Sequence, residues 1–302
     1  LERDAIQLVA QEAASTFGSF SYKSTVSWVN LLNPEVYHTA PYRYKEGNFQ
    51  LKDFIPISLL YKGFGNFLKL YTSQDPSNID LDDMKFLQSF IISMAMIYPS
   101  EEDRNKAALK ALNDYIGIKY TIFGPTKNAD GVMLLNRRVV LLFEGKNEQC
   151  STGYDPEMQS ICYYSKYIEE NFESSPSPSI IIIISGPNIS IVGIINGTLH
   201  VIVENLVPTL RLAYIPGSHI TNSLCFCFKA LKAFISEASE DQFDATSDYP
   251  YFTSFKHLNC DATLEYICNL KRLVYVAKMI WTETENNTKH EDFVIVKFTN
   301  TY

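Results

Sequence analysis

The sequence has little of what usually assigns a class of protein at first sight. No stretch approaches the roughly 18 consecutive apolar residues of a membrane-spanning helix, so we expect no such helix and no membrane partner. None of the six cysteines forms a C-x-x-C pair, and the five histidines show no ligand spacing, which argues against a zinc site. A disulfide framework is not expected in a chain of 302 residues, so we expect reduced and mostly buried thiols.

Positive charge is also scarce. The chain has 26 Lys and Arg against 34 Asp and Glu, and the formal net charge is −8. The acidic excess is spread along the sequence and leaves no basic tail, so bulk charge argues mildly against nucleic acid and requires a local basic patch for such a partner. The sequence starts without Met and without a signal-peptide pattern. We expect a trimmed N-terminus, which leaves the compartment open.

The order of periodic segments predicts an α/β fold with three regions. Hydrophobic residues make up 46% of the chain, enough for a sizeable core. Residues 1–98 read as a helical region, residues 99–245 as a core of helices and strands, and residues 246–302 as a short strand unit. The predicted helices cover 2–15, 54–71, 83–98, 99–117, a segment that starts at Pro156, and 222–240. The predicted strands cover 118–124, 130–136, 138–145, 180–185, 189–196, 199–206, 273–281 and 292–298.

The helix over residues 99–117 has clear start and stop signals. Ser100 is placed to cap the first turn, with Asp103 three residues further on, and Gly117 is placed to end the helix. The helix therefore enters the predicted core with acidic residues in its first turn.

The stretch "VVLLFEGKNE" (Val139–Glu148) is an apolar strand that ends in an acid and a base. With the two-residue period of a strand, Glu144 and Lys146 lie on the same face. Asp130 opens the preceding strand, and antiparallel pairing brings Asp130 and Glu144 to the same end of the sheet. Two neighbouring carboxylates need a proton or a cation between them, and oxygen ligands suit Mg²⁺ or Mn²⁺.

The predicted site is suited to phosphodiester hydrolysis. Lys146 would lie beside a metal-bound water and stabilise developing negative charge. We expect Glu144 and Lys146 to lie outside the core, so that replacing either leaves folding intact. An ordinary solvated ion pair at the end of a strand is the alternative for these two residues taken alone.

The pattern Asp130…Glu144-x-Lys146 on a β-hairpin, between an acidic helix and a further helix, resembles the PD-(D/E)xK nuclease superfamily over roughly residues 99–185. The resemblance implies a restriction-endonuclease-like mixed sheet flanked by helices, Mg²⁺ or Mn²⁺ as cofactor, and DNA as substrate. The metal ligands would be Asp130, Glu144 and the carbonyl of Gly145, and Lys146 would be catalytic. The residue before Asp130 is Ala129 where the family often has Pro.

The same resemblance implies an additional acid from the helix that precedes the hairpin. Glu102 is taken as this metal ligand, and Glu101 stays open as the alternative. On the helix that follows the hairpin, Gln159 and Tyr163 lie four residues apart on one face, as accessory catalytic and substrate-binding residues would.

Two arginines at the predicted hairpin turn are candidates for substrate binding. Arg137 and Arg138 are of the type that contacts backbone phosphates of DNA. A solvated turn is the alternative interpretation.

A second resemblance lies near the end of the sequence. The strand "VIVK", which ends at Lys297, resembles the lysine-bearing β3 strand of protein kinases, although no further kinase motif is present. Together with "ISLLYKGFGNFL" and "YPSEEDRNKAALKALN", it gives the chain a resemblance to Crinkler-type effectors and related fungal nuclease–kinase proteins. This resemblance implies a downstream kinase-like domain as partner and a place on DNA in a nucleus.

Three functions therefore stay open. The first is a Mg²⁺-dependent nuclease, the second an inactive nuclease-like scaffold that regulates an attached kinase, and the third a partial kinase lobe, which the missing motifs disfavour. A positive groove beside Asp130 would favour the nuclease, whereas an acidic or occluded groove would favour the scaffold.

Overall fold

A computed structural model describes residues 37–38, 56–73, 75–117, 129–135, 138–147, 156–171, 178–196, 201–240, 250, 252–257, 260–271, 274–283 and 288–298. The predicted helix over 2–15 and the predicted strand over 118–124 lie outside these ranges.

The described chain begins mainly with helices, continues as a mixture of strands and helices, and ends in four strands. The helices are α1 (Ile57–Leu60), α2 (Lys62–Ser73), α3 (Leu81–Ala95), α4 (Glu101–Ile116), α5 (Pro156–Asn171) and α6 (His219–Glu240). The strands of the main sheet are β1 (Tyr37–His38), β2 (Gly131–Leu135), β3 (Arg138–Lys146), β4 (Ser179–Ser185), β5 (Asn188–Asn196) and β6 (Val201–Arg211). The remaining strands are β7 (Ser254–His257), β8 (Cys260–Lys271), β9 (Val274–Glu283) and β10 (Thr288–Lys297).

The main sheet is mixed, with the strand order β1-β6-β5-β4-β3-β2. Strands β2 and β3 form an antiparallel hairpin, β3 and β4 run parallel, and the pairs β4–β5 and β5–β6 are antiparallel. The two-residue β1 adds a short parallel pairing to β6. Helix α5 lies between β3 and β4 in the chain, as a parallel pair requires a crossover connection. The predicted α/β class is confirmed.

Helices cover both faces of the main sheet. Apolar residues of α2, α3, α4 and α6 form one core cluster with one face of the sheet, and Ile161 and Tyr164 of α5 pack against the other. Strands β3 and β4 are therefore buried on both faces, which explains their nearly continuous apolar sequences. At Gly193 in β5, an added Cβ would lie 2.3 Å from Cδ1 of Ile57, so the packing of α1 there requires a residue without a side chain.

Helix α4 begins and ends where the sequence predicts. The hydroxyl of Ser100 accepts a hydrogen bond from the backbone N–H of Asp103 at 3.1 Å. Gly117 follows the last turn with a φ of 108°, which is a conformation that favours glycine. These two residues fix the length of the helix that contributes most to the candidate site.

The stretch 54–71 contains a helix, as predicted, and the shorter helix α1 that precedes it is separated from it at Tyr61. The backbone of Tyr61 is extended (φ −140°, ψ 127°), and its ring turns onto the following helix, where it contacts Phe64 and Phe234. A Cβ on Gly63 would lie 2.3 Å from this ring. Gly63 therefore leaves room for the ring of Tyr61, whose backbone N–H still donates to the carbonyl of Ile57 at 3.0 Å.

The last four strands form a separate antiparallel sheet in the order β10-β9-β8-β7. Strand β10 pairs with β9 from Thr288 to Lys297 and adds nothing to the ladder of the main sheet, as expected for a separate strand unit. The sequence did not predict β7 and β8, in which apolar and polar residues alternate instead of forming an apolar run. Lys297 is the exposed last residue of β10.

The structure also describes four of the cysteines and the lengths of the helices. Cys162, Cys225, Cys227 and Cys260 are free thiols, and all but Cys162 are buried, as expected. No helix in the ranges given above is long and apolar enough to cross a membrane.

Candidate functional site

The end of β3 buries an acid and a base together. Glu144 is 1% exposed and Lys146 8% exposed, and Nζ of Lys146 lies 2.7 Å from Oε1 of Glu144. Despite this ion-pair contact, neither carboxylate oxygen of Glu144 accepts a directed hydrogen bond from any residue that the structure describes. The expectation that both residues lie outside the core is wrong, because α4 and α5 both pack against β3.

Asp130 lies directly before β2, at the same end of the hairpin. Gly131 pairs with Phe143, which places Asp130 beside the end of β3 that carries Glu144 and Gly145. Oδ2 of Asp130 accepts hydrogen bonds from the backbone N–H of Gly145 at 3.0 Å and from Nδ2 of Asn105 at 2.9 Å. The hairpin thus brings Asp130 and the end of β3 together, as the strand pairing predicts.

Helix α4 supplies a third carboxylate, and it is Glu101. Its Oε1 accepts from Nζ of Lys146 at 3.4 Å, and its Oε2 accepts from the backbone N–H of Asn147 at 3.3 Å. Glu102 instead pairs with Lys106 at 2.7 Å, and its side chain is 62% exposed. Glu101, the alternative that the sequence left open, is therefore the acid that contacts Lys146, whereas Glu102 lines the pocket beside Asp130 and its assignment as a metal ligand stays a prediction.

Arg104 fixes the strand ends beneath the site. This buried guanidinium donates to the carbonyl of Lys146 at 2.7 Å and to the carbonyl of Gly186 in the β4–β5 turn. Burial lowers its pKa, whereas the charge of Glu101 acts in the opposite direction.

The sequence analysis did not identify Arg104 or Asn105 as site residues. The sequence did contain a signal, because Arg104 lies on the same predicted helical face as the apolar residues Ala108 and Leu112. A polar residue on such a face must find buried partners.

The four charged groups of the site influence one another strongly. Burial, and after it the charge of Asp130, raise the pKa of Glu144 to about 8 against the opposing effect of Lys146. Burial also raises the pKa of Asp130. For Lys146, burial disfavours the charged form, but the attraction of Glu144, Asp130 and Glu101 outweighs it, and the pKa is raised. At neutral pH and without a cation, Glu144 therefore tends to hold a proton.

Gln159 and Tyr163 of α5 flank the site from the other side. Nε2 of Gln159 donates to the hydroxyl of Tyr163 at 2.7 Å. Burial raises the pKa of Tyr163, and the charges of Glu144 and Asp130 contribute to this rise. The two residues predicted from one helical face thus form a polar pair within electrostatic reach of the carboxylates.

The predicted arginine that the structure describes, Arg138, is not brought to the site. Arg138 begins β3, and six residues separate it from Glu144, a distance of roughly 20 Å along a strand. Arg137 lies outside the described residues. Because the hairpin turn and the site occupy opposite ends of β3, Arg138 does not contribute to the geometry around Glu144.

A small pocket of about 110 Å³ opens beside Asp130. Its lining residues are Glu101, Glu102, Asn105, Lys106, Leu109 and Asp130. Three carboxylates and one ammonium group make the pocket acidic, which is the outcome expected for a scaffold rather than for a groove that attracts phosphate directly. An acidic pocket is also an environment that attracts cations.

One observation indicates that the residues at the end of β3 fit a divalent cation. Glu144 presents two buried oxygens that, apart from the ion-pair contact with Lys146, accept no hydrogen bond from the described residues, and its charged form is opposed by burial and by Asp130. Among the described side chains, no group of three or more His, Cys, Asp and Glu is arranged to hold a metal ion. Mg²⁺ commonly needs only one or two protein carboxylates, because waters complete its shell.

The chain was compared with protein-family models, with curated proteins and with solved structures, and no comparison finds a match.

Proposed function

We propose that this protein is a Mg²⁺-dependent nuclease with a restriction-endonuclease-like core. The observation that carries the proposal is the buried carboxylate of Glu144, which has no directed hydrogen bond among the described residues and lies against Lys146. The antiparallel β2–β3 hairpin, followed by α5 and the parallel strand β4, supports the resemblance to PD-(D/E)xK nucleases.

Asp130, Glu144 and the carbonyl of Gly145 are the groups that would hold the cation. When bound, Mg²⁺ supplies Lewis-acid polarisation of a phosphate oxygen and a water of lowered pKa. The ammonium of Lys146 lies at hydrogen-bond distance from Glu101 and in ion-pair contact with Glu144, so it is oriented beside the carboxylates. From this position Lys146 stabilises negative charge that develops on a phosphate.

The acidic pocket makes DNA binding depend on the cation. The pocket is lined by one lysine, Lys106, and by the carboxylates of Glu101, Glu102 and Asp130. It therefore repels phosphate as long as no cation neutralises these carboxylates. We therefore expect no DNA binding by this face in EDTA and binding in Mg²⁺ or Mn²⁺.

The test is incubation of the purified chain with supercoiled plasmid DNA in Mg²⁺, Mn²⁺ or EDTA. Nicked or linear product is expected with either cation and not in EDTA, and Mn²⁺ binding by calorimetry should accompany it. A chain that neither cleaves DNA nor binds Mn²⁺ contradicts the proposal.

A catalytically inactive scaffold is the second candidate function. The observation that favours it is the charge of the pocket together with the contact between Lys146 and Glu144, which already neutralises part of the site. In this proposal the chain docks or regulates a kinase-like domain, to which β10 and Lys297 would belong. The plasmid and Mn²⁺ experiments decide between the two candidates.

A pair of neighbouring substitutions tests the role of α4 in the nuclease. Glu101→Gln removes the charge that orients Lys146, and we expect cleavage to slow by roughly 10-fold to 100-fold, as for other residues that orient a metal site. Glu102→Gln removes the same charge from the same helical turn, but its partner is the surface residue Lys106. We expect Glu102→Gln to slow plasmid nicking less than Glu101→Gln does, because Glu102 lines the pocket but pairs with Lys106 rather than with Lys146. Equal rates for the two variants would contradict the assignment of Glu101.

A further inference from the structure

The side chain of Asn105 lies within hydrogen-bond distance of two of the proposed oxygen ligands, Asp130 and the carbonyl of Gly145. Asn105 is 7% exposed, and its Nδ2 donates to Oδ2 of Asp130 at 2.9 Å and to the carbonyl oxygen of Gly145 at 3.4 Å. One amide group thus satisfies both an acidic and a carbonyl acceptor.

The amide packs directly against the backbone of β3. A Cβ on Gly145 would lie 1.9 Å from Oδ1 of Asn105. The absence of a side chain at Gly145 is therefore what allows the amide to reach Asp130 and the carbonyl together.

Two acceptors that face each other need a donor or a cation between them, since their lone pairs otherwise repel. The Asn105 amide meets this need with its N–H groups. Mg²⁺ or Mn²⁺ would meet the same need, but oxygen ligands approach such a cation to about 2.1 Å, which leaves no room for an amide nitrogen bonded to the same oxygens.

We infer that Asn105 is a placeholder for the cation, and that its side-chain amide must leave Asp130 and the Gly145 carbonyl when a divalent cation binds. The inference rests on the cation site of the proposed function. Asn105 is thus a positioning residue that holds the site in shape without a cation and lowers its affinity for one.

The decisive variant is Asn105→Ala, with Mn²⁺ as the probe and calorimetry as the measurement. Without the amide, a cation no longer displaces hydrogen bonds, so we expect Mn²⁺ to bind roughly tenfold more tightly, the equivalent of about one net hydrogen bond. Asn113→Ala is the matched control, because it makes the same change on a half-buried position of α4 away from the site. This control should bind Mn²⁺ as the wild type does.

Thermal unfolding in the absence and presence of Mn²⁺ gives a second measurement, which separates the proposed role of Asn105 from a purely structural one. Asn105→Ala should unfold at a lower temperature than the wild type in EDTA, and the difference should shrink in saturating Mn²⁺, because the cation replaces the lost donor. A residue with a packing role alone loses the same stability in both conditions. Asn105→Ser, whose short side chain cannot bridge both acceptors, serves the same comparison if the alanine variant does not fold.

Mn²⁺ affinity that is unchanged or weaker in Asn105→Ala overturns the inference, as does a stability loss that is equal with and without Mn²⁺. In those cases the cation site itself stands if the wild type binds Mn²⁺. Should neither the wild type nor the variants bind Mn²⁺, the cation site is wrong, and both the inference and the proposed nuclease function fail.

Discussion

Replacing Lys146 by Ala is expected to slow Mg²⁺-dependent cleavage of DNA by on the order of 100-fold or more, because a preorganised positive group beside the reacting phosphate is lost. The same change should destabilise the fold by on the order of 3 kcal/mol above about pH 8, where the carboxylate of Glu144 is charged and is left buried without its partner, and by less near neutral pH, where Glu144 holds a proton. This second effect corrects the expectation from the sequence that the substitution leaves folding intact. Plasmid nicking and urea unfolding measure the two effects separately.

A double variant separates lost chemistry from lost stability. In Lys146→Ala combined with Glu144→Gln, no unpaired buried charge remains, so the free energy of unfolding should return towards that of the wild type. Cleavage should stay abolished, because both a proposed metal ligand and the lysine are gone. Recovery of cleavage together with stability would show that Lys146 acts only on folding.

The second large effect is a dependence of stability on pH that originates at Glu144. Its pKa is about 8 in the folded chain, against an ordinary value of 4.5. Between these values the folded chain keeps a proton that the unfolded chain releases, so the free energy of unfolding falls as pH rises, by up to about 1.4 kcal/mol per pH unit from this group. The penalty is absent below pH 4.5 and complete above about pH 8.

Glu144→Gln should remove this contribution. Urea unfolding in EDTA at several pH values from 5 to 8 should show a flatter slope for the variant than for the wild type. Asp130 also has a raised pKa, and its titration is coupled to that of Glu144. The difference between the two slopes therefore measures the combined titration of Asp130 and Glu144. Parallel slopes for wild type and variant would mean that Glu144 is not held in a protonated state.

The sequence predicted the frame of the site because that frame depends on local signals. Ser100 and Gly117 mark the ends of α4, and the alternation along β3 places Glu144 and Lys146 on one face. The pairing of β2 with β3 then follows from a short turn, and it brings Asp130 to the same end.

The contacts across elements were not predictable in the same way. Whether Glu101 or Glu102 reaches Lys146 depends on the rotation of α4 about its axis, which tertiary packing sets. Apart from the carboxylate of Asp130, the partners of Arg104 and Asn105 are backbone groups of β3 and the β4–β5 turn, which carry no mark in the sequence. The burial of Glu144 likewise results from helices on both faces of the sheet.

The attachment of α4 to the sheet has a consequence for engineering. Glu101, Arg104 and Asn105 lie within about one and a half turns of this helix, and each bonds to Asp130 or to backbone or side-chain groups near the end of β3. A graft of the β2–β3 hairpin alone into another scaffold would carry Asp130, Glu144 and Lys146 but lose the groups that hold them in register. The smallest transplantable unit is the helix together with the hairpin and the β4–β5 turn that Arg104 ties to it.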